Sequence, residues 1–304
     1  MKLLVFIFIL LIIFLLSILI ININNIYEEK FSNNSNKQVV KIKVAVLVAG
    51  FAPRSIKYTY KTIEDNIINH LKKNNFDVDI FMFSLLSKNN KLDSHRNEEK
   101  NNKYINNNDI KLLKTNKTHT EYQEYLTEYL NNICNATCRR KMSQPQHSLN
   151  FLRDIYSEYK VSKMIDLNKY DACIMIGPDF HIVNKININE VKNVIGKNNK
   201  IYTTSFNDFT GVANKFYIAS PIVIKKICSR IYNLEEWIKL KTKSIKNPEV
   251  FLKYILETYN IKRSVSNMFY IKIRSNGKPN SYIKFIHKLK IWSSLPYNQK
   301  IKIY

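Results

Sequence analysis

The 304-residue chain is poor in the residues that punctuate or staple a fold, with Gly 5, Pro 7, Cys 4 and Trp 2. So little glycine and proline excludes collagen-like and linker-like sequences, and four cysteines in a chain of this length do not make a disulfide framework. There is no Gly-rich phosphate loop, no H-E-x-x-H, no CxxC pair and no G-x-S-x-G elbow. P-loop, zincin, zinc-ribbon and α/β-hydrolase chemistries therefore fail at the level of motif. Acidic residues are scarce as well: 24 Asp+Glu stand against 48 Lys+Arg, a formal net charge of +24. Such an excess suits nucleic acid, a membrane surface or an anionic small substrate. Lys, Asn and Ile crowd loops and periodic segments alike, as an AT-rich genome would produce without selection for a basic face, so nucleic acid is the weakest of these partners.

What is present is apolar surface, with 45% hydrophobic and 12% aromatic residues, enough for a sizeable core. Leu3 to Ile21 form an uncharged run of nineteen residues interrupted only by Ser17, about 28 Å as a helix and long enough to span a bilayer. No small-residue cleavage site follows it, which favours a retained signal anchor (1–22) over a cleaved leader. Lys2 precedes the run and Lys30, Lys37 and Lys41 follow it, so charge alone does not orient the anchor. The sequons at Asn33, Asn116 and Asn135 fit a body in the ER or Golgi lumen or on the extracytoplasmic side, although an Asn-rich chain makes sequons by chance. Cys134 and Cys138 are a small disulfide loop in an oxidising lumen or two free thiols in the cytosol.

After a polar stem (23–40), Val39 to Gly50 is a β-branched run ending in glycine, as a buried parallel strand enters a loop. Ser55 is placed as an N-cap for a helix over Ile56 to Lys73, and Asp77 to Ser84 is the next strand. This strand, helix, strand order implies an α/β architecture with a covered, mostly parallel sheet. Ser87 to Thr120 holds nine Asn and eight Lys or Arg against four acids, which predicts a flexible insertion outside the core. Helices are expected over Glu121 to Ile133 and Ser148 to Leu167, then a short apolar strand ACIMIG that stops at Gly177-Pro178-Asp179. An extended pair follows around Lys200 to Phe206 and Asn214 to Ser220. Helices over Pro221 to Tyr232, Leu234 to Lys241 and Pro248 to Tyr259 and a late strand over Val265 to Arg274 complete the domain (41–274). Lys241 to Tyr304 carry fourteen Lys or Arg against Glu249 and Glu257, and 275–304 reads as a basic tail.

In an α/β sheet ligands bind outside the carboxyl ends of the strands. Gly50 and Arg54 follow the first strand there, where the planar fork of Arg54 suits a diphosphate. Asp179 is placed as a hard-cation ligand would be, or as an Asx-turn carboxylate. Asp208, in the loop Asn207-Asp208-Phe209-Thr210-Gly211, is a second carboxylate near the acceptor or a turn residue. His181 is expected to be structural.

KVAVLVAGFAPRSIKYTYKTIEDNII resembles the opening strand, loop and helix of nucleotide-sugar glycosyltransferase-like proteins of GT-A fold, especially open reading frames of giant DNA viruses. YDACIMIGPDF, NDFTGVANKFYIASPIVIKKICSRIYNLEEW and PEVFLKYILETYNI agree in the same order, and together they cover roughly Lys43 to Ile273. The resemblance implies a GT-A-like (Rossmann-like) sheet flanked by helices and transfer of a sugar from a nucleotide-sugar donor to a hydroxyl on a glycan, protein or lipid. It implies Arg54, Gly50 and Asp179 at the nucleotide, Mn²⁺ or Mg²⁺ on Asp179, and Asp208 as acceptor base or orienting group. One departure stands out: where metal-dependent members carry Asp-x-Asp, this chain has Gly177-Pro178-Asp179. Basic side chains in place of the metal, or a degenerate, non-catalytic glycan-binding or membrane-organising protein, are the alternatives that departure opens.

Overall fold

The computed structural model describes residues 41–88, 105–126, 128, 145–206, 208–240 and 248–279. The expected anchor, stem and basic tail, the Cys134–Cys138 pair and the sequons at Asn33 and Asn135 lie outside these residues. Among the described residues no helix is long and apolar enough to cross a membrane.

Strand β1 (Lys43–Gly50) is buried on both faces from Val44 onward, which its run of Val, Ala and Leu requires of a central strand. Its neighbours are β2 (Asp77–Leu86) and β4 (Ala172–Ile176), both parallel to it. With β3 (Lys117–Tyr122), β6 (Lys200–Thr203), β7 (Tyr217–Ala219) and β8 (Lys262–Val265) they form a seven-stranded sheet in the order β3-β2-β1-β4-β7-β6-β8. Only β7 runs antiparallel to its neighbours in it. The mixed, mostly parallel sheet matches the expected α/β class. A separate two-stranded ribbon pairs β5 (Phe180–Ile182) with β9 (Tyr270–Lys272).

Alternation along β1 divides the core. Val44, Val46 and Val48 face the apolar stripe of α1 (Ile56–Ile63), which continues through a π turn (Glu64–Ile68) into α2 (Asn69–Lys73). Ala45, Leu47 and Ala49 face α3 (Pro145–Lys163), α5 (Pro221–Cys228), α6 (Leu234–Leu240) and α7 (Pro248–Thr258). The short α4 (Ile188–Lys192) supplies Val191 to the first layer. A buried ion pair, Arg230 to Glu158 at 2.7 Å, ties α3 to the turn after α5. The β1-to-β2 crossover thus lies on one face and the β3-to-β4 crossover on the other. The seam between β1 and β4 is the switch point of the sheet, the place at whose carboxyl ends open α/β sheets bind their ligands.

Three expectations are corrected. Of the stretch 87–120 expected outside the core, 89–104 lie outside the described residues, while 3-10 residues Asn107–Leu112 and the edge strand β3 occupy most of the rest. Polar composition is tolerated there because β3 covers an edge and need bury little: its side chains are mostly exposed. Asn116 bonds β2 with its side chain at the start of this strand. Its amide donates to Asp79 at 2.7 Å and its carbonyl oxygen accepts from the Ile80 N–H at 2.7 Å. Second, the helix expected from Glu121 begins later: Glu121 and Tyr122 still belong to β3. Third, the late strand is two strands, β8 and β9, in different sheets.

Candidate functional site

Ser55 does not cap α1 with its side chain. Its hydroxyl donates to the Ile273 carbonyl at 2.7 Å, fastening the helix to the strand that leaves β9. One turn on, Thr59 donates to the Pro178 carbonyl at 2.6 Å, and the Thr62 hydroxyl accepts from the Ile182 N–H at 3.0 Å. Ser55, Thr59 and Thr62 share one helix face. That face clamps the Gly177-Pro178-Asp179 turn and the ribbon beneath it. Gly50, at φ 140°, meets the same turn: a Cβ there would lie 3.2 Å from the Pro178 ring.

Asp179 emerges from this turn 3% exposed, its backbone carbonyl accepting from Ile273 at 2.8 Å. Arg54, in the 3-10 turn after β1, donates to its carboxylate at 2.5 Å. Burial alone would raise the Asp179 carboxyl. The cations Arg54, Lys215, Lys272 and Arg274 outweigh it and hold the group well below the usual carboxylate range. They come from three segments, Lys272 and Arg274 from the same one. Lys215 precedes β7 with a left-handed backbone (φ 79°), an uncommon state for a lysine, and pairs with Asp154 of α3 at 2.7 Å. Lys272 ends β9, lies 5.7 Å from the centroid of the Phe180 ring, and among the described residues has no carboxylate at ion-pair distance. Burial and the repulsion of Lys215 lower its ammonium to about 8, against the opposing pull of Asp179, Asp154 and Glu249.

The opposite wall is the loop between β6 and β7. Asp208 holds it: one carboxylate oxygen accepts from the Ala213 N–H at 2.8 Å and from Arg263 of β8 at 2.8 Å. The loop then presses on α7, where the Val212 N–H donates to the Glu249 carbonyl at 2.9 Å. Gly211 permits this approach, because a Cβ would fall 2.1 Å from the Glu249 carbonyl carbon. Burial raises the Glu249 carboxyl, opposed by Lys272 and Lys215. Tyr270, stacked on Phe180 at 3.7 Å, feels Asp179, Glu249 and Asp208 together. Its hydroxyl is pushed upward, first by burial. His181 sits on β5 opposite Ile271, its imidazole lowered by burial, away from the cation cluster that shifts Asp179.

The structure therefore brings together Gly50, Arg54 and Asp179, all three named from sequence, and sets Asp208 in the wall beside them. The sequence reading missed Lys215, Lys272, Arg274, Asp154 and Glu249. One signal was available: Lys272 and Arg274 alternate with Ile271 and Ile273, the period-2 mark of two cations on one face of a buried run.

A divalent cation does not suit this donor set. Among the described residues no three His, Cys, Asp or Glu side chains gather as a metal-holding group. Asp179 is already engaged by Arg54 and surrounded by positive charge. A doubly charged ion about 6 Å from one fixed positive charge is repelled by roughly 5 kcal/mol at an effective dielectric of about 20.

No family model matches the chain, and no curated protein matches it. Among solved structures it is similar to mouse xyloside xylosyltransferase 1 in its apo form, at 8% identity and TM-score 0.37 over 74% of this chain and 85% of that one. It is also similar to the apo form of glycosyltransferase GlyE of Streptococcus pneumoniae TIGR4, at 10% identity and TM-score 0.36 over 74% of this chain. The match spans 45% of the GlyE chain.

Proposed function

We propose that this chain is a glycosyltransferase that moves a sugar from a nucleotide-sugar donor to a hydroxyl on a glycan, protein or lipid acceptor. One observation carries the reading: Arg54 and Asp179 meet at the β1/β4 switch point among further cations, where an α/β sheet offers its crevice to an anionic ligand. The motif order of the sequence supports it.

In this reading Arg54 binds the donor diphosphate, with the backbone at Gly50 close by, and Asp179 fixes the Arg54 fork. Asp208 orients the loop that closes the acceptor side. Glu249, whose carboxyl burial makes more basic, takes the proton from the acceptor hydroxyl. The acceptor oxygen forms its bond to the anomeric carbon as the bond to the diphosphate oxygen breaks. The electron pair leaves on the diphosphate, and the proton rests on Glu249. The apolar run Leu3 to Ile21 anchors the protein, with this domain on the extracytoplasmic side.

The engagement of one Asp208 oxygen by both Arg263 and Ala213 favours a second reading, a non-catalytic nucleotide or glycan binder. Incubating the purified full-length chain with UDP- and GDP-sugars and measuring released nucleoside diphosphate separates them. Release that disappears in Glu249→Gln supports transfer chemistry, and binding without release from any donor leaves the binder.

A further inference from the structure

We propose that the donor diphosphate is held and its departing charge stabilised by Arg54, Lys215, Lys272 and Arg274, with no divalent cation. The inference rests on the nucleotide-sugar reading of this crevice. It also goes against the expectation that Asp179 carries Mn²⁺ or Mg²⁺.

The geometry gives two of the carboxylates here a task other than metal binding. Asp179 sits 3% exposed with Arg54 on its carboxylate, and Asp154 is taken by Lys215 at 2.7 Å. Glu249 stands in the first turn of α7, its carboxyl raised by burial against the opposing pull of Lys272 and Lys215. Waters and substrate phosphates complete the shell of a Mg²⁺ held by one or two carboxylates, but the carboxylate of this turn is already paired with Arg54 and surrounded by cations that repel a second positive ion. The cations, by contrast, are arranged as an anion would need them. Arg54 is pre-oriented by Asp179, so little side-chain freedom is lost when a phosphate oxygen arrives. Lys215 is fixed by Asp154 and by a left-handed backbone that the surrounding packing must impose. Lys272 and Arg274 project from one face of the run after β9, which Ser55 fastens to α1 through the Ile273 carbonyl. Four positive groups from three segments thus act on one buried carboxylate, whose own backbone carbonyl is bonded to Ile273 between Lys272 and Arg274. A diphosphate brings negative charge and several acceptor oxygens to such a set of cations. As the sugar leaves, the diphosphate gains one negative charge, and fixed cations in a water-poor crevice stabilise that state more than the bound donor.

The test is calorimetric titration of the full-length chain with inorganic pyrophosphate, UDP and GDP, each in EDTA and in Mn²⁺ or Mg²⁺. Pyrophosphate and at least one nucleotide are expected to bind in EDTA with an affinity that added metal changes by less than about threefold. Lys272→Gln should weaken pyrophosphate about tenfold or more, as loss of a charge-assisted contact does. Lys272→Arg should restore most of the affinity, and exposed Lys278→Gln should change nothing. Melting midpoints of the variants show that the loss is not unfolding. Pyrophosphate binding only with metal, no binding in either condition, or equal affinity in wild type and folded Lys272→Gln would each overturn the proposal. Pyrophosphate bound in EDTA with neither nucleotide recognised keeps the cation site and removes the nucleotide-sugar reading instead.

Discussion

Arg54 and Asp179 lie 125 positions apart and meet at 2.5 Å across the seam between β1 and β4. The pair joins the loop that leaves the first strand to the turn that ends the fourth, and it fixes a guanidinium at the mouth of the crevice. Asp179 is nearly inaccessible while the Arg54 side chain keeps 21% of its surface, so the guanidinium is the solvent-facing member of the pair. Its consequences are measurable in both stability and binding.

Asp179→Asn keeps the volume and removes the charge. It should cost about 2–3 kcal/mol of stability, since a buried partner is lost while Arg54 retains some water. The lowered Asp179 carboxyl also sets a sign for pH. In the unfolded chain it takes up a proton below about pH 4, whereas the folded one resists, so wild-type stability falls as pH drops through that range. Chemical denaturation at pH 7 and pH 3 should show the wild-type advantage over Asp179→Asn shrinking in acid. A constant advantage would place the effect elsewhere.

Lys272, lowered to about 8 by burial and by Lys215, gives opposite signs to two observables. Between about pH 8 and 10.4 the unfolded chain binds more protons at this residue than the folded one, so this group makes stability rise with pH there. Diphosphate affinity should fall over the same window as the ammonium is lost, shifted upward by the bound anion. The groups facing it are Lys215, Asp179, Asp154 and Glu249. Lys272→Gln should show neither dependence, and an unchanged affinity profile in that variant would refute the assignment.

Glu249→Gln tests the proton acceptor. Turnover is expected to drop by roughly 10²- to 10⁴-fold with donor affinity nearly intact. Asp208→Asn should behave differently, loosening the loop through the lost Arg263 ion pair and chiefly raising the acceptor KM. If Asp208→Asn rather than Glu249→Gln abolishes turnover while both bind donor, the two roles are exchanged.

Gly211→Ala places a methyl 2.1 Å from the Glu249 carbonyl carbon, so the loop must lift off α7. Donor turnover should fall, and limited proteolysis should cut the 208–213 segment sooner than in wild type. Resistance equal to wild type would mean that the loop does not bear on α7 in solution.

At the sheet edge, replacing 89–104 by a short Gly-Ser linker should leave the melting temperature within a few degrees. Asn116→Ala, which removes the two side-chain bonds to β2, should cost about 1–2 kcal/mol. Thermal melts of the two variants compare them directly.

Local spacing decided much of this protein. The β-branched runs fix β1 and β4 as strands with two buried faces, and the apolar stripes fix α1, α3, α5 and α7. The glycines and prolines that end β1 and β4 mark the turns there, so the neighbourhood of Gly50, Arg54 and Asp179 at the carboxyl ends of the strands was legible. Edge strand β3 was not, because an exposed strand of Lys, Thr, His and Glu has no apolar period to read. Nor were the partners of Asp179. Periodicity acts within about ten residues and says which face of an element is buried, but not which elements become neighbours. Only the pairing of strands far apart in the chain brought Lys215, Lys272 and Arg274 close enough to lower a single carboxylate.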